Sequence, residues 1–198
     1  QKEIEKLSFK EQYLRGLCEL AHIEDCVEQW QHRAEQDIGL TENLGLTGEE
    51  HKTFLCGGRD ALAALLEPQR RKQRFVLYQL QLDEENAIPF AFKDITALKA
   101  AGYEQPPAAM YYVAGSGEIY CPAEESDDAL LKRLFADCRE RLPEGCRGRP
   151  MAISDVVELN HGTKRAYYYV SGQDQFRQVK FSPMLAKKEI PEKTQERF

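Results

Sequence analysis

The chain has 198 residues, 42% of them hydrophobic, so it is long enough for one domain or two small ones with a hydrophobic core. Its 27 lysine and arginine residues against 33 acidic residues give a net charge of -6, which argues against a generally basic nucleic-acid binder. No apolar run approaches the ~18 residues of a membrane span, and the first ten residues are charged rather than signal-like. We therefore expect a cytoplasmic protein without membrane contact.

The first third of the chain has helical patterning. Two capping boxes, each a hydroxyl residue followed three positions later by glutamate, predict helix starts at Ser8 and at Thr47. The apolar positions after Ser8 continue at helical spacing to Ala21. A further helix is predicted over residues 24–35, and a last short helix, capped by Asp60, ends at Leu66.

The remainder has mixed patterning. Strands are predicted at residues 75–82 and 110–114, and a hairpin at 153–159 and 166–170 is followed by a third strand at 176–181. Helices are predicted over 92–101 and after the cap residue Ser126. The fold class is therefore α+β, an N-terminal all-helical module followed by a small, mainly antiparallel sheet with two packed helices.

These elements suggest four segments. Residues 1–67 form the helical module, 68–74 a basic connector, 75–184 the α+β domain and 185–198 a polar tail. The chain begins with Gln1 instead of methionine, which is also consistent with an excised piece of a longer protein.

Six cysteines are present without any C-x-x-C pair, so they predict reduced thiols rather than a paired zinc or redox motif. Cys18, His22 and Cys26 are spaced four apart, and one continuous helix would align them on one stripe. Metal binding there competes with a packed helix face, which we favour because Glu24 and Asp25 suggest a new helix start. No metal and no cofactor are predicted.

Phosphate-binding and hydrolase motifs are absent from the sequence. The one candidate nucleophile is Ser154 beside Asp155, with His161 across the predicted turn as a candidate base. The competing interpretation, which we favour, is that Ser154 and Asp155 cap backbone groups and that residues 160–163 are ordinary turn chemistry.

Residues 139–188 contain ten basic and five acidic residues, although the whole chain is acidic. An aromatic and basic surface suited to nucleic acid or another anion is a second hypothesis for this region. Its candidate contacts are Arg147, Arg149, Lys164, Arg165 and Tyr168. Because strand alternation places Tyr167 and Tyr169 on one face and Tyr168 on the other, at least one of these faces is expected to be core.

The segment from 75 to 181 has a recognisable order of strands and motifs. It contains Y-Q-L at 78–80, a strand at 112–115, R-G-R-P-M-A-I-S-D-V-V-E-L at 147–159, A-Y-Y-Y-V at 166–170 and an aromatic at Phe176. This pattern resembles the YodL-like domain carried by conjugative transposons and related mobile elements of Firmicutes. It departs from the family pattern at its end, where Ser171 to Phe176 replaces the expected D-S-F-G-F. The resemblance implies a genomic setting and no particular reaction.

The helical module also resembles small modules that accompany such domains in large multidomain mobile-element proteins. The matching segments are Val27–His32 and Leu44–Glu50. We therefore expect a non-enzymatic accessory protein of a bacterial mobile genetic element that acts through an unidentified protein partner, in element maintenance or counter-defence. Nucleic-acid binding by the basic hairpin region is the alternative, and an uncharacterised hydrolase or transferase is the second alternative.

Overall fold

The computed structural model describes residues 7–33 and 38–188. Helices precede an open five-stranded antiparallel sheet, so the α+β prediction is confirmed. Contacts divide the chain into two compact units, Gln1–Lys72 with Ile119–Glu125 and Gln73–Glu118 with Ser126–Phe198. Most of the predicted polar tail, residues 189–198, lies outside the described part.

The first unit contains four helices, α1 (Phe9–Leu14), α2 (His22–Gln31), α3 (Leu40–Leu44) and α4 (Gly48–Leu66). Both predicted capping boxes are present, at Ser8 and at Thr47. The buried face of each helix supplies the core of the unit. This core consists of Phe9, Tyr13, Leu14, Ile23, Leu44, Leu46, Leu62 and Leu66.

The predicted end of α1 and the predicted start of α2 need correction. Helix α1 ends at Leu14 instead of reaching Ala21, because Gly16 takes a φ of +68° that ends the helical path. Helix α2 begins at His22 and ends at Gln31, and the predicted end at residue 35 lies outside the described residues. The two predicted helices on either side of residue 58 are present as the two halves of α4, which the non-helical backbone of Gly58 (φ +70°, ψ -162°) separates.

The sheet contains β1 (Arg70–Leu80), β2 (Tyr111–Pro122), β3 (Val156–His161), β4 (Lys164–Gly172) and β5 (Gln175–Val179), in the order β2-β1-β3-β4-β5. The predicted hairpin and its third strand are confirmed as β3, β4 and β5. Strand β1 begins at Arg70, so five of the residues expected to form a connector belong to the sheet. Alternating burial along β1 favours strand there despite the cationic composition.

Helices α5 (Ile95–Ala100) and α6 (Asp127–Cys138) pack on opposite faces of the sheet. Tyr168 faces the start of α6, whereas Tyr169 belongs to the core cluster that includes Leu98 of α5. The expected alternation of the tyrosines in β4 is therefore confirmed. Helix α5 begins after Asp94, three residues later than the predicted start at Phe92. None of the described helices has the length and apolarity needed to cross a bilayer.

Candidate functional site

A buried ion pair between Arg149 and Asp155 lies in the second unit, at the segment that leads into β3. Arg149 Nη1 lies 3.0 Å from Asp155 Oδ2, and Nη2 lies 2.5 Å from Oδ1, so the two terminal nitrogens of the guanidinium donate to the two oxygens of the carboxylate. Both residues are buried, and Asp155 has no exposed surface. Such a pair is bidentate and charge-assisted, which fixes the geometry of the loop 149–155.

Gln79 of β1 ties this ion pair to the sheet. Its Nε2 donates to Arg149 O at 2.8 Å and to Asp155 Oδ2 at 3.2 Å, and its Oε1 accepts from Arg149 N at 3.1 Å. Tyr112 of β2 donates a second hydrogen bond to Gln79 Oε1, at 3.0 Å. We call Gln79, Tyr112, Arg149 and Asp155 the Arg149 cluster.

Backbone strain lies next to the Arg149 cluster. Ser154 has a φ of +80° and Phe92 a φ of +58°, and these are the two non-glycine residues with positive φ in the described chain. Phe92 N donates to Ser154 Oγ at 3.1 Å, and Tyr111 donates from its hydroxyl to Ser154 O at 2.9 Å. Each such conformation costs ~1–3 kcal/mol and persists only where surrounding contacts hold it, which here the hydrogen bonds do.

Phe92 is the exposed part of this arrangement. Phe92 as a residue is 48% exposed, and its ring centroid lies 4.8 Å from Arg149 Cζ. A guanidinium over an aromatic face is an attractive cation–π contact. Ile88, four positions earlier in the same segment, is also exposed. The buried cluster therefore holds an aromatic ring at the surface in a fixed backbone conformation.

The electrostatics of the cluster favour structure over proton transfer. Burial raises the pKa of the Asp155 carboxyl, while the Arg149 guanidinium and hydrogen bonds from Ala152 N and Gln79 oppose the increase. Burial also raises the pKa of Tyr112 to about 12, against the lowering effect of Arg149. Both Asp155 oxygens already accept hydrogen bonds from the protein. A general base must reach its substrate, and this carboxylate has no exposed surface and bonds to its own neighbours.

The structure does not bring together the candidate triad of Ser154, Asp155 and His161. His161 ends β3, whereas Ser154 lies two residues before its start, and five residue steps along a strand already cover ~17 Å. His161 Nε2 instead lies 3.0 Å from Asp127 Oδ2 at the start of α6. The same oxygen accepts from the Tyr168 hydroxyl at 2.6 Å. A serine hydrolase requires nucleophile and base within hydrogen-bond reach, which this arrangement lacks.

The five candidate anion contacts differ in their exposure. Arg149 is 6% exposed, and its guanidinium is already paired with the Asp155 carboxylate. Tyr168 is half-buried, with its hydroxyl on Asp127. Arg147, Lys164 and Arg165 are exposed, and Arg165 Nε lies 3.5 Å from Glu158 Oε1.

The cysteine and histidine stripe is interrupted. Cys18 lies between α1 and α2, while His22 and Cys26 lie on α2. His22 Nδ1 lies 3.2 Å from Asp25 Oδ2. Burial raises the pKa of Cys18 to about 11 and also raises that of Cys26. Across residues 7–33 and 38–188, no three His, Cys, Asp or Glu side chains form a metal-binding group.

Three residues of the site were missed by the sequence reasoning. Gln79 and Tyr112 appeared there only as parts of strands, and Phe92 only as the start of a helix. A usable signal existed for Gln79, since an amide inside the apolar run 75–80 must find a buried partner. The exposure of Phe92 has no such signal, because it depends on the strained backbone beside Ser154.

Comparison with known proteins identifies a family for most of the second unit. The family model described as YodL-like domain matches residues 74–181, which is more than half of the chain and includes the whole Arg149 cluster. No curated protein and no solved structure matches the chain. This chain therefore belongs to the YodL-like domain family.

Proposed function

We propose that this chain is a non-enzymatic accessory protein of a bacterial mobile genetic element that acts in the cytoplasm through protein contacts. Its role would lie in element maintenance or counter-defence. The element and its Firmicutes setting rest on the sequence resemblance of residues 75–181 and of the helical module. The contact function rests on one structural observation, the half-exposed Phe92 ring held by the Arg149 cluster.

Two features support a contact role for Phe92. A positive φ is unfavourable for phenylalanine, and the hydrogen bond from Phe92 N to Ser154 Oγ stabilises the backbone in this conformation. In it, the Phe92 ring lies at the surface. Aromatic side chains with restricted motion are frequent centres of protein interfaces, because they bury a large area at little entropic cost. The adjacent polar groups bond to one another, which leaves the ring as the part that meets solvent.

The test is quantitative affinity capture from a bacterial host with the full chain as bait. We expect a specific partner to be retained by the natural protein and reduced at least tenfold by Phe92→Ala and by Ile88→Asp. Met184→Ala is the matched control, because Met184 is 96% exposed on another segment and should leave capture unchanged. Equal capture by all four proteins would contradict the proposed surface. Thermal unfolding of each bait separates a lost contact from a lost fold.

Nucleic-acid binding at the β3–β4 turn is a second candidate, supported by a specific arrangement of cations. Lys164 and Arg165 are exposed there, and the strand register places Arg165 and the exposed Arg74 on either side of Asn160. Binding of a labelled single-stranded oligonucleotide should weaken as salt rises. Lys164→Ala with Arg165→Ala should lower affinity and reduce the salt slope, and a salt-independent affinity would reject this function.

A further inference from the structure

The two edges of the five-stranded sheet differ in their neighbours. On the outer side of β2, the main chain of Lys187 donates to Tyr111 O and accepts from Val113 N, each at 2.9 Å, so another segment of the chain lies along that edge. Strand β5 forms the opposite edge and pairs with β4. No other strand within residues 7–33 and 38–188 pairs with β5, which leaves its outer side open to a new strand.

The hydrogen bonds of β4 show which main-chain groups of β5 point outward. Val170 N donates to Asp155 O and Val170 O accepts from Ser154 N, each at 2.9 Å, so these groups of Val170 point away from β5. In an antiparallel pair, opposite residues alternate between bonding to each other and pointing apart. Phe176 lies opposite Val170, and Gln178 lies two positions further on. The N–H and C=O groups of Phe176 and Gln178 therefore point away from β4.

The next outward position along the chain agrees with this direction. Lys180 N donates to the side chain of Gln105, at 2.7 Å. In the described part of the chain, the outward groups of Phe176 and Gln178 have no hydrogen-bond partner. Two donors and two acceptors in alternation match the main chain of an extended peptide. A phosphate backbone offers acceptors only, so it would leave both C=O groups unpaired.

The charged side chains of this edge favour an acidic strand. Arg177 and Lys180 are exposed, and neither has an ion-pair partner among the described residues. Residues 175–180 contain no acidic side chain. Opposite charges on neighbouring strands attract, whereas like charges directly opposite each other repel. A second copy paired through β5 would bring the same two cations against each other, which argues against self-association.

Phe176 adds an apolar contact to this edge. It is half-buried, and its ring centroid lies 6.3 Å from that of Phe135 in α6. Because side chains alternate along a strand, Phe176 and Arg177 lie on opposite faces of the sheet. A new strand would therefore place an apolar side chain beside Phe176 and the next, acidic side chain opposite Arg177.

We propose that the open edge of β5 binds an extended acidic segment of a protein partner, which adds to the sheet as a further strand. The main chain of this segment bonds to Phe176 and Gln178, and one of its carboxylates lies opposite Arg177. This inference rests on the proposed function, since the strand belongs to a protein partner, and it assigns a contact surface besides Phe92.

The experiment measures binding of a short fluorescent peptide of alternating glutamate and valine to the full chain by anisotropy. We expect saturable binding, reduced at least tenfold when glutamine replaces glutamate in the peptide. Gln178→Pro removes an N–H that β4 does not use, so it should reduce binding at least tenfold with little change in Tm. Gln178→Ala is the matched control, because it keeps the N–H and should bind like the natural protein.

Arg177→Glu tests the charge separately and keeps the experiment decisive if the proline variant does not fold. It should lose affinity for the glutamate peptide severalfold and gain affinity for a peptide of alternating lysine and valine. An unchanged preference between these peptides would contradict the acidic partner. So would the absence of saturable binding to the natural protein, or equal binding by a folded Gln178→Pro variant.

Analytical ultracentrifugation and an oligonucleotide competitor test the other occupants. A natural dimer that Gln178→Pro dissociates would assign the edge to a second copy and reject the peptide. Displacement of the peptide by a single-stranded oligonucleotide at lower concentration than by unlabelled peptide would assign the cations to nucleic acid. Because the probes are purified, this test is independent of partner capture. Capture that depends on Phe92 without peptide binding would retain the proposed function and reject the β5 edge.

Discussion

Ser154 accepts a hydrogen bond from Phe92 N at 3.1 Å, and both residues have positive φ. Each therefore holds the other in a conformation that its own side chain disfavours. The contact joins the loop before α5 to the entrance of β3, and with it the exposed ring to the buried Arg149 cluster.

Ser154→Ala should destabilise the protein by about 1–3 kcal/mol, because the Phe92 N–H loses its acceptor while the strained φ remains. Ser154→Gly loses the same bond but relieves the strain, so it should be more stable than the alanine variant by about 1 kcal/mol. Urea denaturation of both variants measures the order. An alanine variant at least as stable as the glycine variant would show that the φ of +80° carries little strain.

The ion pair predicts a non-additive double-mutant cycle. Arg149→Met should cost about 3–5 kcal/mol, because it leaves the Asp155 carboxylate buried without its counter-ion. Asp155→Leu should cost a similar amount for the reverse reason. The double variant should cost clearly less than the sum of the two, because both charges are then gone. Additive losses in chemical denaturation would mean that the two charges do not interact through the observed bidentate contact.

The sequence predicted local structure well where the determinants are local. Capping residues and apolar periodicity located the starts of the helices at Ser8, Thr47 and Ser126, and alternation assigned the faces of the tyrosines in β4. These signals act over three or four residues, so they need no knowledge of the tertiary fold.

The candidate site could not be predicted in the same way. Arginine is usually a surface residue, so the sequence gives no sign that Arg149 is buried. Its burial depends on contacts with Gln79, 70 positions away, and with Asp155, which the intervening turn brings back to it. Helix α1 is shorter than the sequence predicts, because the apolar spacing continues past Gly16 but the positive φ of Gly16 ends the helix. Long-range pairing and backbone strain decided both outcomes.

Buried tyrosines predict a loss of stability at alkaline pH. Burial and the hydrogen bond to Glu67 raise the pKa of Tyr13 to about 12, and burial raises that of Tyr112 to about 12. A raised phenol pKa contributes stability below about pH 10, the ordinary value, and that contribution is lost as the pH rises through the folded-state value. The free energy of unfolding should therefore fall between about pH 10 and 12. Tyr112→Phe should show a shallower fall, measured by urea denaturation at each pH.

The interactions of Glu50 predict that the helical unit loses stability at low pH. Burial opposes its ionisation, but hydrogen bonds from Gln69, Lys10 and the Thr47 backbone hold its pKa below the usual carboxyl range. A lowered pKa contributes stability above the ordinary value of about 4.3, and this is lost as the pH falls through the folded-state value. Fluorescence of Trp30, the one tryptophan, reports unfolding of this unit.

When unfolding is followed by Trp30 fluorescence at decreasing pH, the stability of Glu50→Gln should fall less steeply with pH than that of the natural protein. At neutral pH this variant should lose about 1–3 kcal/mol of stability through its broken ion pair with Lys10. Glu49→Gln is the matched control, since Glu49 is its exposed neighbour in the same helix turn. If both variants showed the natural acid limb, the Glu50 interactions would not be the source of the pH dependence.

Gly45, at the end of α3, lies so close to the start of α1 that a side chain at this position would clash there. It ends α3 with a φ of +72°, and a Cβ there would lie 2.3 Å from Ser8 Oγ, the cap of α1. Gly45→Ala should therefore cost about 1–2 kcal/mol for the backbone conformation and more for the displaced cap. Gly39→Ala is the control, because its φ is -67° and no atom lies within 4 Å of the added methyl group. Thermal unfolding followed by Trp30 fluorescence should show a large decrease in Tm for Gly45→Ala and little change for Gly39→Ala. Similar values for the two variants would mean that the cap at Ser8 can move aside without loss of helix α1.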